Sequence, residues 1–156
     1  MKNILEKICE YKKVFIEKQK RKKNISFLIK NTSKKKKIKD FRKAFDKALR
    51  KNKIPVISEI KKRSPSQGKI NKNFSPLKIA RNYEKNGATC LSILTDEKFF
   101  GGSLNHLKSV RKITKLPILR KDFIIDNYQI IESKYSGVDC ILLIMAALER
   151  NQAKEL

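Results

Sequence analysis

The segment ISEIKKRSPS, residues 57–66, is the most informative part of this chain. It predicts a β-strand that runs into a polar loop. Because successive side chains of a strand point to opposite faces, Glu59 and Lys61 share one face, about 6 to 7 Å apart along the strand. A buried unpaired charge is costly, so the two side chains belong either to an exposed strand end with a surface ion pair or to a site. The ten residues alone leave both interpretations open.

Downstream of this strand, short apolar runs alternate with amphipathic helices. The first strand lies near residue 55, and the later runs predict strands over residues 89–94, 117–121 and 139–144. Strands and helices in this order form successive βαβ units, which require a parallel sheet with right-handed crossovers. Either a doubly wound sheet or part of a (β/α)8 barrel fits. The predicted helix caps are Ser75, Ser103 and Asp126, and the predicted helix-ending glycines are Gly87 and Gly137.

The loop after the first strand distinguishes these two folds. A nucleotide-binding doubly wound fold would carry a glycine-rich turn there, but residues 62–68 read KRSPSQG, with neither a G-x-G-x-x-G nor a Walker pattern. A barrel places its site at the carboxyl ends of its strands. The polar residues predicted at those ends are Glu59, Lys61, Ser92, Thr95 and Lys121. This distribution favours the barrel.

Residues 1–53 differ from the rest of the chain in charge and in pattern. They hold 21 Lys and Arg against 5 Asp and Glu, a net charge of +16 out of +24 for the whole chain. Apolar residues at helical spacing predict two amphipathic helices, one over residues 4–16 and one over residues 38–49. The polar tract between them, residues 31–37, predicts a mobile linker.

Cysteine usage and hydropathy point to the cytoplasm. Cys9, Cys90 and Cys140 have no paired spacing, which is typical of reduced thiols. The first twenty residues lack the apolar stretch of a signal peptide. The longest apolar run, residues 140–148, is about half of what a membrane span needs. We therefore expect a soluble cytoplasmic protein without a membrane segment.

Four ordered segments resemble a known family, indole-3-glycerol-phosphate synthase of tryptophan biosynthesis. They read SEIKKRSPSQG at residues 58–68, LSILTDEKFFGGS at 91–103, LRKDFIIDNYQI at 119–130 and DCILLI at 139–144. Charge is a property that many unrelated chains share, whereas four motifs in the same order are specific to a family.

The resemblance implies a fold and a reaction. The fold is a (β/α)8 barrel preceded by a helical extension, so residues 1–53 are expected to be the extension and residues 54–156 the first half of the barrel. The reaction is that of a carboxy-lyase: 1-(2-carboxyphenylamino)-1-deoxy-D-ribulose 5-phosphate closes its ring, loses CO₂ and water, and becomes indole-3-glycerol phosphate. The family uses no metal and no organic cofactor.

Within the resemblance, three side chains carry the chemistry and two bind the substrate. Ring closure needs a proton delivered to the ribulose carbonyl, so an acid has to be held near that oxygen. Lys121 resembles the family's general acid, in the motif L-x-K-D-F. Lys61 resembles a lysine that helps to hold the anionic groups of the substrate, and Glu59 resembles a glutamate that pairs with lysine. The substrate-binding candidates are Ser64, in a loop that contacts the substrate, and Phe100, an aromatic residue beside the anthranilate ring.

The chain departs from the family in length. A complete barrel has roughly 250 residues, whereas the 156 residues of this chain reach only the fourth predicted strand. Nothing here matches the family's second-half catalytic and phosphate-binding residues, so we expect a fragment that is inactive by itself. Its expected partners are a phosphorylated small-molecule substrate and either the missing C-terminal half or a fused second enzyme domain.

Two alternative functions belong to other classes of protein. The basic N-terminal residues could neutralise phosphates, which would make the chain a nucleic-acid-binding module with salt-dependent affinity. Aromatic residues interleaved with the basic ones, which would stack on bases, are sparse, so this alternative is not favoured. The other alternative is a half-barrel that serves as a non-catalytic scaffold.

Overall fold

The structure, a computed structural model, describes residues 3–32, 38–70 and 73–156. The helices described are α1 (Ile4–Lys22), α2 (Ile25–Asn31), α3 (Phe41–Leu49), α4 (Pro76–Lys85), α5 (Leu104–Ile113), α6 (Asn127–Tyr135) and α7 (Arg150–Glu155), with a short 3₁₀ turn at Met145–Ala147. The strands are β1 (Ile57–Ile60), β2 (Arg63–Ser64), β3 (Gly68–Lys69), β4 (Cys90–Leu94), β5 (Ile118–Lys121) and β6 (Cys140–Ile141).

A parallel sheet with the order β1-β4-β5-β6 forms the centre of the molecule. Its neighbours follow chain order, with α4, α5 and α6 in the three crossovers. In register, Glu59 lies beside Ser92 and Leu94 lies beside Lys121, so the carboxyl ends of the strands share one edge. This topology confirms the prediction of an α/β chain built from the first units of a (β/α)8 barrel. In the described ranges, β1 and β6 each pair with one neighbour only.

The main core lies between the sheet and its helices. Alternate residues of the strands, such as Ile60, Ile93 and Ile118, pack against Leu107 and Val110 of α5, and all five are at most 1% exposed. The caps of the crossover helices are as predicted: the side chains of Ser75, Ser103 and Asp126 accept from first-turn backbone amides.

The N-terminal helices pack on the outside of the β/α units. Ile16 of α1 and Leu28 of α2 form a second apolar cluster with Ile125 and Tyr128 at α6. The hydroxyl of Tyr128 lies within hydrogen-bond distance of the Lys23 carbonyl oxygen, at 2.9 Å. The division of the chain at residue 53 stays a prediction. No helix of the described ranges is long and apolar enough to cross a bilayer.

The structure corrects several predicted boundaries: α1 continues to Lys22 instead of ending at residue 16, and α3 begins at Phe41 instead of residue 38. Helix α2 was not predicted, and its last residue, Asn31, lies where a mobile linker was expected; residues 33–37 of that linker lie outside the described residues. Strand β1 begins at Ile57, because Pro55 has no amide hydrogen and the Val56 amide donates to the Thr89 hydroxyl oxygen, at 3.0 Å, instead of to a strand. Strand β6 ends at Ile141, and the chain turns into 3₁₀ geometry at Met145.

Asp139, directly before β6, is hydrogen-bonded to three segments of the chain. Its Oδ2 accepts from the Ile118 amide at 2.8 Å and from Arg111 Nη1 at 2.6 Å, and its Oδ1 accepts from the Lys39 amide at 2.8 Å. A side chain that is nearly buried and bonded in this way joins β5, α5 and the segment before α3 to one carboxylate.

The substitution Asp139→Ala should lower the free energy of unfolding by about 3 kcal/mol, because it leaves the Arg111 guanidinium and the Ile118 amide without their partner. Urea denaturation followed by circular dichroism measures the change. The control is Glu155→Ala, which removes an exposed carboxylate and should change stability by less than about 0.5 kcal/mol. Equal effects of the two substitutions would contradict the role given to Asp139.

Candidate active site

A cavity of about 160 Å³ opens at the carboxyl ends of β1, β4 and β5. Its walls combine charged and apolar side chains, which the parallel register brings to one edge of the sheet. The lining residues are Glu59, Lys61, Leu94, Phe100, Lys121, Asp122, Phe123 and Ile144. Four of the five predicted site residues, Glu59, Lys61, Phe100 and Lys121, therefore line one cavity.

Glu59 is the centre of the charged wall. Its Oε2 lies 2.6 Å from Lys121 Nζ, and its Oε1 lies 2.7 Å from Lys61 Nζ. Each carboxylate oxygen thus has its own ammonium. Glu59 lies in β1, Lys61 directly follows the end of that strand, and Lys121 ends β5 two strands away. The structure brings the three side chains together as the sequence predicts; their catalytic roles stay predictions.

The electrostatics of this trio favour an anionic ligand. Burial raises the pKa of Glu59, but the hydrogen bonds from Lys121 and Lys61 outweigh burial and hold the pKa below its usual range. The carboxylate is therefore charged at neutral pH, and two ammoniums against one carboxylate leave an excess positive charge. The side chain of Lys121 is 42% exposed, so its ammonium faces the open part of the cavity.

Two aromatic rings form the opposite wall. Phe100 follows β4 and Phe123 follows β5, and their ring centroids are 6.2 Å apart at an interplanar angle of 36°. A tilted aromatic pair of this kind offers a flat apolar surface to a planar ring. The contact of Phe100 with an aromatic substrate stays a prediction, and Phe123 adds a second ring that the sequence analysis did not assign.

Ser64 does not line the cavity. It lies in β2 of a small hairpin, where its Oγ accepts from the Gln67 amide at 3.2 Å and lies 3.4 Å from Ser66 Oγ. Its neighbour Arg63 connects this hairpin to the loop after β4, because the Arg63 guanidinium donates to the Lys98 carbonyl oxygen. The substrate contact of Ser64 stays a prediction.

Behind the cavity lies a buried charge network that the sequence analysis missed. The Nη2 of Arg120 donates to Asp122 Oδ2 at 3.0 Å, and its Nη1 donates to Glu132 Oε2 at 3.0 Å. The hydroxyl of Thr95 donates to the same Oδ2 at 2.7 Å. From the N-terminal helix, Lys12 reaches Asp122 Oδ1 at 2.7 Å. The network supports the strand end that carries Lys121.

One signal in the sequence could have revealed Lys12. The buried residues of α1 are Ile8, Lys12 and Ile16, which recur every four residues on one face. A lysine in the middle of an apolar stripe is either a snorkelling side chain or a buried cation with acidic partners. The partners, however, lie more than eighty residues away, so the choice depends on the packing of α1.

The network keeps its members charged. Burial raises the pKa of Asp122, but the nearby Arg120 and Lys12 outweigh burial and hold the pKa below its usual range. Burial lowers the pKa of Lys12, but Asp122 and Asp96 outweigh burial and raise it. Within the described residues, no group of three His, Cys, Asp or Glu side chains could hold a metal ion.

The sequential parallel β/α units, with a lysine–glutamate–lysine group and an aromatic wall at the carboxyl ends of the strands, are those of a partial (β/α)8 barrel. A family model described as Indole-3-glycerol phosphate synthase matches residues 5–156. The chain belongs to the indole-3-glycerol phosphate synthase family, which confirms the resemblance of its four motifs.

Similar proteins agree with this membership. Proteins named indole-3-glycerol phosphate synthase from Bordetella pertussis, Polaromonas naphthalenivorans and Zymomonas mobilis subsp. pomaceae are 41%, 44% and 42% identical to this chain. Each match covers 100% of this chain and 60%, 59% and 59%, respectively, of the relative. The chain thus spans about 60% of the length of the curated relatives that it matches.

The titration of Glu59 tests the charged wall. We expect its carboxyl to titrate below the usual value of about 4.3, and to move upward in Lys121→Met and further in the double variant Lys61→Met/Lys121→Met, because each ammonium stabilises the carboxylate. Carbon-13 NMR of labelled glutamate measures the shift. The matched control is Lys62→Met, which removes an exposed charge next to Lys61. An equal upward shift in this control would contradict the specific pairing.

The acid stability of the protein tests the buried network. Because the folded pKa of Asp122 lies below its unfolded value of about 3.9, this carboxylate contributes stability above pH 4 that is lost as the pH falls through the folded pKa. Asp122→Asn should therefore be less stable than the parent at pH 7, by about 3 kcal/mol, and should lose less stability between pH 4 and pH 2. Urea denaturation across this range measures both. Parallel pH curves for the two proteins would contradict the assignment.

Proposed function

We propose that this chain supplies the lysine–glutamate–lysine part of an indole-3-glycerol phosphate synthase active site. The substrate is 1-(2-carboxyphenylamino)-1-deoxy-D-ribulose 5-phosphate, and the product is indole-3-glycerol phosphate, formed with loss of CO₂ and water. Family membership supports this proposal. The observation that carries it is the position of the Lys121 ammonium, 2.6 Å from Glu59 and open to a cavity with an aromatic wall.

In the proposed reaction, Lys121 is the general acid. The anthranilate carbon that bears the carboxylate attacks the ribulose carbonyl carbon, and the proton of the Lys121 ammonium passes to the carbonyl oxygen as the new carbon–carbon bond forms. The carboxylate then leaves as CO₂, and loss of water completes the indole ring. Glu59 holds the Lys121 ammonium in place before the proton transfer.

Binding of the substrate uses both walls of the cavity. The ammonium of Lys61 offers a charge partner to the anthranilate carboxylate or another anionic group of the substrate. The rings of Phe100 and Phe123 offer a face to the anthranilate ring. Ser64 retains its predicted role in substrate contact, which requires the hairpin to approach the ligand.

We infer that turnover needs more than the groups described. A closed barrel has eight strands, whereas the described sheet has four, and β1 and β6 each have one neighbour. No residue of the sequence matches the phosphate-binding residues of the family. The proposed partners are accordingly the phosphorylated substrate and further β/α units, in the same polypeptide or in a separate one, as in a closed barrel.

Several basic side chains of the N-terminal helices are engaged within the protein, which favours the enzyme over a nucleic-acid-binding module. Lys20 pairs with Asp126 at 2.8 Å and with Glu17 at 2.9 Å. Lys23 lies 5.4 Å from the ring centroid of Tyr135. Three free cysteines support a reducing compartment, so we propose a cytoplasmic location.

Complementation tests the proposed function. We expect turnover when this chain is joined to the remaining part of the Bordetella pertussis relative, so that the barrel can close. In that fusion, Lys121→Ala should lower kcat by about 10²-fold to 10⁴-fold, because the proton donor is lost. A fluorescence assay of indole-3-glycerol phosphate formation measures the rate.

The matched control is Lys62→Ala, an exposed lysine outside the cavity, which should leave kcat within about threefold of the parent fusion. A fully active Lys121→Ala fusion would exclude Lys121 as the acid. A folded fusion without turnover would argue for the non-catalytic half-barrel.

A further inference from the structure

Lys12 is a buried charge that the proposed chemistry does not use. It is 1% exposed, on the inner face of α1, and Phe15 of the same helix lies beside its ammonium, with the ring centroid 5.3 Å from Nζ. The ammonium contacts two carboxylates at once, Asp96 Oδ2 at 2.8 Å and Asp122 Oδ1 at 2.7 Å. These acids follow two different strands, β4 and β5.

Each of the two carboxylates holds the backbone of an aromatic residue. Asp96 Oδ1 accepts from the amides of Phe99 and Phe100, at 2.7 and 3.3 Å. Asp122 Oδ1 accepts from the amide of Phe123 at 2.8 Å. Phe100 and Phe123 are the two rings of the cavity wall. A single ammonium thus lies between the two carboxylates that orient both rings.

Asp96 depends on Lys12 more than Asp122 does. Asp122 is also paired with Arg120 and with Thr95. Asp96 is 0% exposed, and within the described ranges the only cation at its Oδ2 is Lys12. An unpaired buried carboxylate is expensive and is relieved by protonation or by movement toward water. Either response would disturb the bonds from Asp96 to the Phe99 and Phe100 amides.

We propose that Lys12 is a positioning residue for the aromatic wall: by pairing with Asp96 and Asp122 together, it fixes the separation and tilt of Phe100 and Phe123. This inference rests on the proposed function in one respect: the aromatic wall is taken to be the surface that contacts the anthranilate ring. The positioning itself is a property of the chain without substrate. Docking of α1 is therefore coupled to the shape of the cavity, although no atom of α1 lines it.

Amide hydrogen exchange on the full chain tests the proposal. In Lys12→Met, the amides of Phe99, Phe100 and Phe123 should exchange at least about tenfold faster, relative to reference amides, than in the parent, because their charged acceptors lose their counter-ion. The reference amides are Asn105 and Tyr128, which donate to the caps Ser103 and Asp126 outside the network. NMR or mass spectrometry at pH 7 measures the rates.

Two controls separate positioning from stability. Lys13→Met removes the neighbouring exposed charge and should leave all five amides unchanged. Ile16→Ala weakens the docking of α1 while keeping the ammonium, so it should raise exchange at the reference amides and at the three phenylalanine amides by the same factor. If Lys12→Met does not fold, Lys12→Gln, which keeps a donor but no charge, must show the same selective increase.

The proposal is overturned if Lys12→Met or Lys12→Gln changes the three amides and the reference amides in proportion, or if Ile16→Ala reproduces the selective increase. Because the experiment needs no substrate, its result is independent of turnover. Selective exchange in a chain whose fusion has no turnover would reject the proposed function and retain the positioning role. Normal turnover without selective exchange would retain the proposed function and reject the positioning role.

Discussion

Charge compensation at the carboxyl ends of β4 and β5 joins α1 and α6 to the sheet. Side chains alternate along β5, so Arg120 faces the helices while Lys121 faces the cavity. Arg120 is 1% exposed, and a guanidinium can stay there only because Asp122, Thr95 and the acid of α6 surround it. Loss of one partner from such a group costs several kcal/mol, whereas a fully paired group is tolerated. The strand that presents Lys121 is therefore held by charges on its opposite face.

The two charge groups of the molecule differ in their contact with water. The buried charge network around Asp122 is almost fully excluded from solvent, so its geometry is fixed by direct pairing. The inner group around Glu59 is about one third exposed and has one more cation than anions. Solvent can screen this excess positive charge until an anionic ligand displaces the solvent. A buried support of directly paired charges thus lies next to a partly exposed, positively charged site.

Local signals in the sequence were enough to predict much of the fold. Caps such as Ser75 and Asp126 act within one helical turn, so the sequence near them carries the information. The convergence of Glu59 and Lys121 could also be predicted from the sequence, because strand alternation and parallel order place both side chains at one edge of the sheet. The prediction failed where distant packing decides the outcome. Helix α2 has only seven residues and is stabilised through Leu28 against α6, and Lys12 meets its acids only after α1 has docked.

The two outer strands of the sheet have a consequence for the behaviour of the chain in solution. Each leaves a row of backbone amides and carbonyls unpaired by any described strand, and Val56 and Ile57 beside one of them are 46% and 45% exposed. Such a sheet edge is a template on which an extended segment of another chain can pair as an additional strand. Crowding many copies would therefore promote strand exchange and fibrous association between molecules, unless something else covers the borders first.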